Sequence, residues 1–151
     1  MDSMDRAIIA ELVRDGRISN VELAERVHLT PGPCLRRVQR LEQDKVIRGY
    51  RAVVDPAALD RGFEVILDVE LTVFDRETVY AFEDAMAAMD EVVEMHRLFG
   101  SPDYFVRIAV KDLPAYESFL TERVMSLRGL QKVSSRFTMK KIKSVDAGGT
   151  A

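Results

Sequence analysis

The chain has 151 residues, of which 47% are hydrophobic and 31% charged, and carries a formal net charge of -3. That is enough apolar material for one domain or two small ones under an ordinary soluble surface. No apolar run approaches the roughly 18 residues of a membrane span, and Met1 to Asp5 lacks the basic and apolar parts of a signal peptide, so a cytoplasmic protein is expected. The single cysteine, Cys34, excludes an intramolecular disulfide and suits a reducing compartment.

In chain order, the first helix is predicted from Met4 to Asp15, with Ile8, Ile9, Leu12 and Val13 inward and Gly16 ending it. Ser19 and Glu22 have capping-box spacing and open a second, short helix whose apolar side is Val21, Leu23, Ala24 and Val27. After His28 and Leu29, Thr30 is a good N-cap and Pro31 a good first residue for a third helix. Cys34, Leu35, Val38 and Leu41 are its buried stripe, which makes Cys34 a small core residue and not a nucleophile. Two helices joined by about three residues form a helix-turn-helix, with His28 where a glycine is usual.

The outer side of the third helix carries Arg36, Arg37, Gln39 and Arg40. Like charges at i,i+3 and i,i+4 oppose helix formation, whereas a phosphate backbone would use them. The bland alternative is a solvated face with Arg40 bonded to Asp44. From Thr30 to Arg51 the stretch is +4 and the remainder -7, a basic reading head on an acidic body. Arg36 and Arg40 are the expected base or phosphate contacts, with Thr30, Pro31, Arg37, Gln39, Lys45 and Arg48 around them. Ile47 to Val54 reads as a strand, which makes the head winged-helix-like and sets Arg48 and Arg51 beside the DNA backbone.

Asp55-Pro56 stops that strand, and residues 55–62 read as a linker. From Phe63 to Val73 alternate residues are apolar, which predicts a strand with Phe63, Val65, Leu67, Val69, Leu71 and Val73 buried. A helix follows from Glu77 to Met89, with Val79, Phe82, Met86 and Met89 inward. Strands over Val92–Phe99 and Tyr104–Val110 flank the turn Gly100-Ser101-Pro102-Asp103. Asp112 caps a helix carrying Tyr116, Phe119, Leu120, Val124 and Leu127 inward. Arg128-Gly129 breaks it, and a last strand runs from Leu130 to Ile142, with Val133, Ser135, Phe137 and Met139 on one side. The fold class is therefore α+β: a helical head over residues 1–54 and a βαββαβ ferredoxin-like domain over 63–143, with 144–151 read as a disordered tail. Two helices cover one sheet face; the other carries Ile66 and Phe74 among polar residues, which predicts a dimer through it.

His28 and His96 have no ligand partners at metal spacing, and no nucleophile motif or phosphate-binding glycine loop occurs, so neither a metal, a cofactor nor catalysis is expected. Glu64, Asp68 and Glu70 share a strand face, but as a solvated or interface face and not an acid–base pair.

The stretch from Leu29 to Glu42, LTPGPCLRRVQRLE, resembles the recognition helix of the Lrp/AsnC (feast/famine) transcription regulators. Asp15-Gly16-Arg17, Leu23-Ala24 and Ile47-x-x-Tyr50 fit the same pattern, as do Phe99 to Tyr104 (the family's G-x-x-D-[YW] turn) and Lys140-x-x-Lys143. Gly32, where the family usually has Ser or Thr, and Pro102 are departures. The resemblance implies double-stranded DNA as partner, a homodimer assembling to higher oligomers up to octamers, and an amino-acid effector bound between dimers near the turn. Gly100, Ser101 and Asp103 would supply amide donors and an anion for an α-amino acid, with Leu98, Tyr104 and Thr138 as walls favouring an apolar or aromatic side chain. Taken without the resemblance, the same turn residues serve hairpin geometry. The function expected is sequence-specific transcriptional regulation of amino-acid metabolism or transport. The alternative is a ferredoxin-like metabolite-binding module whose helical head binds a protein.

Overall fold

The computed structural model describes residues 1–142, so the expected tail and Lys143 lie outside the described residues. Two compact units divide the chain after Val53.

The first unit holds three helices: α1 (Ser3–Arg14), α2 (Asn20–Arg26) and α3 (Pro31–Gln43). α1 starts one residue earlier than expected because Asp2 caps it. The Asp2 carboxylate accepts the Asp5 N–H at 2.8 Å, and the Asp5 carboxylate accepts the Asp2 N–H at 3.0 Å, a reciprocal capping box. Ile8, Leu23, Ala24, Val27, Cys34 and Leu41 form the core, with Met4, Ile9, Leu12, Ile18, Leu29, Val38 and Ile47 packed against it. Three apolar residues assigned inward are exposed: Val13, Val21 and Leu35. Val13 is rotated by about 140° from Ile8, Val21 by about 160° from Leu23, and Leu35 by about 100° from Cys34. A stripe that narrow leaves them in water. Asp5, not Val13, completes the α1 stripe with Ile8 and Leu12.

Ser19 caps α2 through the Glu22 N–H, but the reciprocal half of the box is missing because Glu22 pairs with Arg26 at 2.6 Å. The α2 end is a Schellman turn: His28 N–H donates to the Glu25 carbonyl and Leu29 N–H to the Ala24 carbonyl, with His28 at φ 56°. His28 therefore does take the left-handed position that the short turn demands. Thr30 stands at the α3 N-cap with no side-chain cap bond; instead Asn20 Nδ2 donates to the Pro31 carbonyl at 2.8 Å and ties the two helix starts together. Pro31 and Pro33 both fall in the first turn, where the helix has no use for their missing N–H groups. Gly16 does not end α1 in the left-handed region; the cap there is the extended Asp15. The strand expected over Ile47–Val54 does not form, since the helical head offers no ladder partner.

In the second unit a 3-10 turn (Pro56–Leu59), capped by Asp55, precedes β1 (Phe63–Leu71). Then come α4 (Arg76–Ala87), β2 (Val92–Arg97), β3 (Tyr104–Val110), α5 (Leu113–Ser118), which continues as a π-helical segment over Phe119–Val124, and β4 (Leu130–Phe137). The sheet order is β2-β3-β1-β4, antiparallel throughout, which is the expected ferredoxin-like arrangement. Val65, Leu67, Val69, Tyr104, Val106, Ile108, Val79, Phe82, Met86, Tyr116, Phe119 and Val124 build one core between the sheet and its helices. β1 ends at Leu71, so Val73 and Phe74 lie beyond the strand and are exposed. Phe74 is therefore not part of the open sheet face. β4 ends at Phe137, five residues before the predicted limit.

Candidate functional site

The geometry of α3 separates the predicted cations into two groups. Cys34, Val38 and Leu41 face the core. At about 100° per residue, Gly32, Arg36, Gln39 and Gln43 form the opposite, outermost stripe, while Arg37 and Arg40 lie on the flank toward α1. Arg36, Gln39, Thr30, Pro31, Lys45 and Arg48 are exposed, and Arg36 has no carboxylate partner among the described residues. Gln43 was not among the predicted contacts; its i+7 spacing from Arg36 was the available signal. A Cβ at Gly32 would meet Arg36 Nη1 at 3.7 Å, an ordinary contact, so no crowding demands glycine there. Lys45 is at the end of α3 in the left-handed region, φ 57°.

Arg37 and Arg40 are engaged from within. Arg37 Nη1 donates to Asp2 Oδ2 at 2.8 Å and to Asp5 Oδ1 at 2.7 Å; Arg40 Nη2 reaches both Asp5 oxygens at 2.8 Å. Arg40 therefore pairs with Asp5 and not with Asp44. Asp5 is buried. Its carboxyl is held below the usual range, first by the Asp2 backbone N–H and then by the two guanidinium groups; Asp2 is held at about 2, first by the Asp5 backbone N–H and then by Arg37. Both carboxylates are charged at neutral pH. Pro33, Arg36, Arg37 and Arg40 line an open hollow of about 410 Å³. Sequence reasoning missed Asp2 and Asp5. The signal was there in the D-x-x-D spacing and in a carboxylate at a core-stripe position.

The Leu98–Tyr104 turn is built differently from the pocket wall that was expected. Leu98 N–H donates to the Asp103 carbonyl at 2.8 Å, closing the turn, and the Ser101–Pro102 peptide is cis. Asp103 Oδ2 accepts the Leu71 N–H at 2.8 Å, which fastens the turn to the end of β1. Gly100 (φ 126°) and Ser101 are exposed, and Ser101 Oγ lies 3.4 Å from Glu70. Leu98 is partly exposed and Phe99 fully so at the tip. Tyr104, by contrast, is enclosed in the core; its ring packs at a tilt against Phe82, centroids 5.0 Å apart, and its hydroxyl donates to Glu83 Oε1 at 2.9 Å. Burial and the Glu83 charge push its phenol up to about 12, and Arg97, in a two-pronged bond to Glu83, holds that carboxyl low. Tyr104 is thus a core residue of the isolated chain. Thr138 is also apart from the turn: by strand register it lies level with Glu64 while Asp103 lies level with Glu70, about 20 Å away along β1. It lines instead a groove of about 390 Å³ with Asp55, Pro56, Phe63, Glu64 and Met139. The structure therefore gathers Leu98, Gly100, Ser101 and Asp103 on one exposed turn and leaves Tyr104 and Thr138 outside it.

On the open sheet face Asp68 pairs with Arg136 at 2.7 Å, Glu70 with Lys132 at 3.6 Å, Glu64 with Lys141 and Glu94 with Arg107 at 2.9 Å. All three β1 carboxylates are ion-paired, Asp68 and Glu70 across to β4 and Glu64 to the segment that follows it. Among the described residues no group of His, Cys, Asp or Glu is placed to hold a metal ion, and no helix is long and apolar enough to cross a membrane.

Residues 1–42 match the AsnC-type helix-turn-helix domain and residues 64–147 the Lrp/AsnC ligand binding domain. The leucine-responsive regulatory proteins of Escherichia coli (strain K12) and Klebsiella pneumoniae are each 38% identical over 143 residues, 95% of this chain and 87% of theirs. A Neisseria meningitidis transcriptional regulator solved as its L-Met complex superposes with TM-score 0.90 at 32% identity, over 95% of this chain and 93% of that one. An AsnC family transcriptional regulator from Agrobacterium tumefaciens gives 0.89 at 33% identity, over 95% and 94%. Helix-turn-helix head, four-stranded antiparallel sheet and both family matches agree: the chain belongs to the Lrp/AsnC family, whose members are non-enzymatic transcriptional regulators.

Proposed function

We propose that the protein is a cytoplasmic regulator that binds duplex DNA through the outer stripe of α3 and answers to an amino-acid effector. Arg36, Gln39 and Gln43 face the major groove, with Thr30 and Pro31 at the helix start and Lys45 and Arg48 on the flanking backbone; Arg37 and Arg40 stand behind them. The observation that carries this is Arg36: an exposed guanidinium at the centre of the outermost stripe, with no carboxylate partner among the described residues. Two heads in a homodimer would read half-sites one helical turn apart or a multiple of it. The dimer forms through the open sheet face, where partly covered Ile66 and Phe105 sit among ion pairs. The effector is held at an interface between dimers by the Leu98–Asp103 turn, whose exposed Gly100 and Ser101 and apolar Phe99 tip suit a small amino acid. By favouring one assembly it alters the spacing of the heads, and so the genes of amino-acid metabolism or transport that they control.

The test is a fluorescence-anisotropy titration on duplexes selected from a random library by the full-length protein, at 50 and 200 mM salt. Arg36→Ala should weaken binding and flatten the logarithmic salt slope by about 0.9 per head. An unchanged slope removes Arg36 from the contacts, and no enrichment of any duplex removes the DNA reading. Leucine and methionine are the first effectors to add, since relatives carry those names in their titles and complexes. A shift in affinity or in sedimentation by either supports the turn as the effector site; indifference to all twenty amino acids refutes it.

A further inference from the structure

Three cations crowd the exposed side of α3, yet two of them are already neutralised. Asp2 and Asp5 come from the start of α1, more than thirty residues earlier in sequence, and take up Arg37 and Arg40 with four bonds of 2.7–2.8 Å. The network is built, not incidental. Asp5 occupies the core-facing stripe of α1 and is enclosed, with 1% of its surface exposed, so its carboxylate cannot rotate away to water. Its remaining bond is to the Asp2 N–H, which locks both acids together through the capping box. With Arg36 counted in, the patch carries a net of one positive charge, not three.

We infer that Asp2 and Asp5 act as an internal counter-anion that withholds Arg37 and Arg40 from phosphates, so that the head discriminates among DNA sequences instead of adhering to all of them. The inference rests on the reading of α3 as the DNA-contacting helix. Non-specific affinity comes almost wholly from phosphate neutralisation, while sequence is read from base edges. A cation held by an internal carboxylate releases no counterion from DNA, because its charge is already balanced. The acids therefore cut the sequence-independent term and leave Arg36, Gln39 and Gln43 to the bases. They also hold the flanking guanidinium groups in one orientation against the side of the helix, which keeps them clear of the groove-facing stripe.

The experiment uses the full-length protein and two probes of equal length: the duplex selected by the wild type and a random-sequence duplex. Asp2→Ser keeps the helix cap, since serine caps as well as aspartate, and removes only the charge. Asp5→Asn removes the buried charge while retaining an acceptor, and Cys34 thiol protection reports whether the head stays folded. Each arginine unmasked should steepen the salt slope on the random duplex by about 0.9 per head, equivalent to roughly eightfold tighter binding at 0.1 M salt if the electrostatic part vanishes at 1 M. Affinity for the selected duplex should rise less, so the ratio of the two affinities falls. Unchanged slope and ratio in both variants overturn the inference. So does weaker binding to both probes at unchanged slope, which would make the acids mere props for α3. If the wild type binds neither duplex, the DNA reading itself is at fault, and the wild-type arm shows that before any variant is compared.

Discussion

Gly129 is the position where a single methyl group should do the most damage to the sheet domain. It links the end of the second covered helix to β4 at φ 83°, and its carbonyl accepts both the N–H (2.8 Å) and the Oγ1 (3.2 Å) of Thr72, pinning β4 to the end of β1. A Cβ there would lie 2.5 Å from Thr78 Cγ2 on α4, about 1 Å inside a normal carbon–carbon contact. Gly129→Ala therefore incurs two penalties: about 1–2 kcal/mol for a side chain at positive φ, and about 1–3 kcal/mol for overpacking against α4. The sum is roughly 2–5 kcal/mol, a large share of a domain's stability. The partner substitution Thr78→Ser deletes the offending methyl but keeps the hydroxyl that bonds Asp75 Oδ2 at 2.9 Å, so alone it should cost less than about 0.5 kcal/mol. The double variant should recover the overpacking part, a coupling of about 1–3 kcal/mol. Urea unfolding followed by tyrosine fluorescence suits this unit, which holds Tyr80, Tyr104 and Tyr116, three of the four tyrosines. A Gly129→Ala midpoint within experimental scatter of the wild type refutes the whole account. A full loss that Thr78→Ser does not relieve refutes the steric half and leaves the backbone conformation as the cause.

Leu41→Ala removes a fully buried side chain from a head core with six buried apolar residues among those described and should cost about 2–5 kcal/mol, seen as loss of DNA binding together with exposure of Cys34. Cys34 is buried and its thiol pushed up by desolvation, so in the folded protein it should react with a disulfide reagent orders of magnitude more slowly than in urea; rapid reaction without denaturant would contradict the packing. Asp2 has a folded-state value depressed from 3.8 to about 2, so the stabilisation it lends the head is complete above its ordinary value and drains away as pH falls from about 4 toward 2. Cys34 protection measured across that acid range should decline more steeply in the wild type than in Asp2→Ser; identical curves would show that Asp2 is not the titrating group.

What the sequence determined on its own was the order of elements set by local periodicity, with part of the capping chemistry; the equally local Asp2–Asp5 box went unread. Alternation over Phe63–Leu71, the 3.6-residue rhythm of α4, and the Asp112 cap set the βαββαβ order, because each is decided within a few residues. His28 and Pro31 likewise located the turn and the start of α3. Extended segments were less legible: the 47–54 stretch has strand-like residues, but a strand also needs a neighbour to bond, and composition cannot supply one. Apolar residues at the margin of a stripe, such as Val13 and Leu35, were assigned inward because spacing says which residues share a side and not how wide a side the neighbours will cover. The charge of the reading surface was the largest matter that only tertiary structure could decide. Counting along Thr30–Arg51 yields a strongly basic patch, yet the fold carries Asp2 and Asp5 across more than thirty residues of sequence to sit against Arg37 and Arg40. Electrostatics acts through distance in space, and the same holds for Thr138: it belongs in sequence to the same strand system as the turn, but antiparallel register sends it to the far end of the sheet.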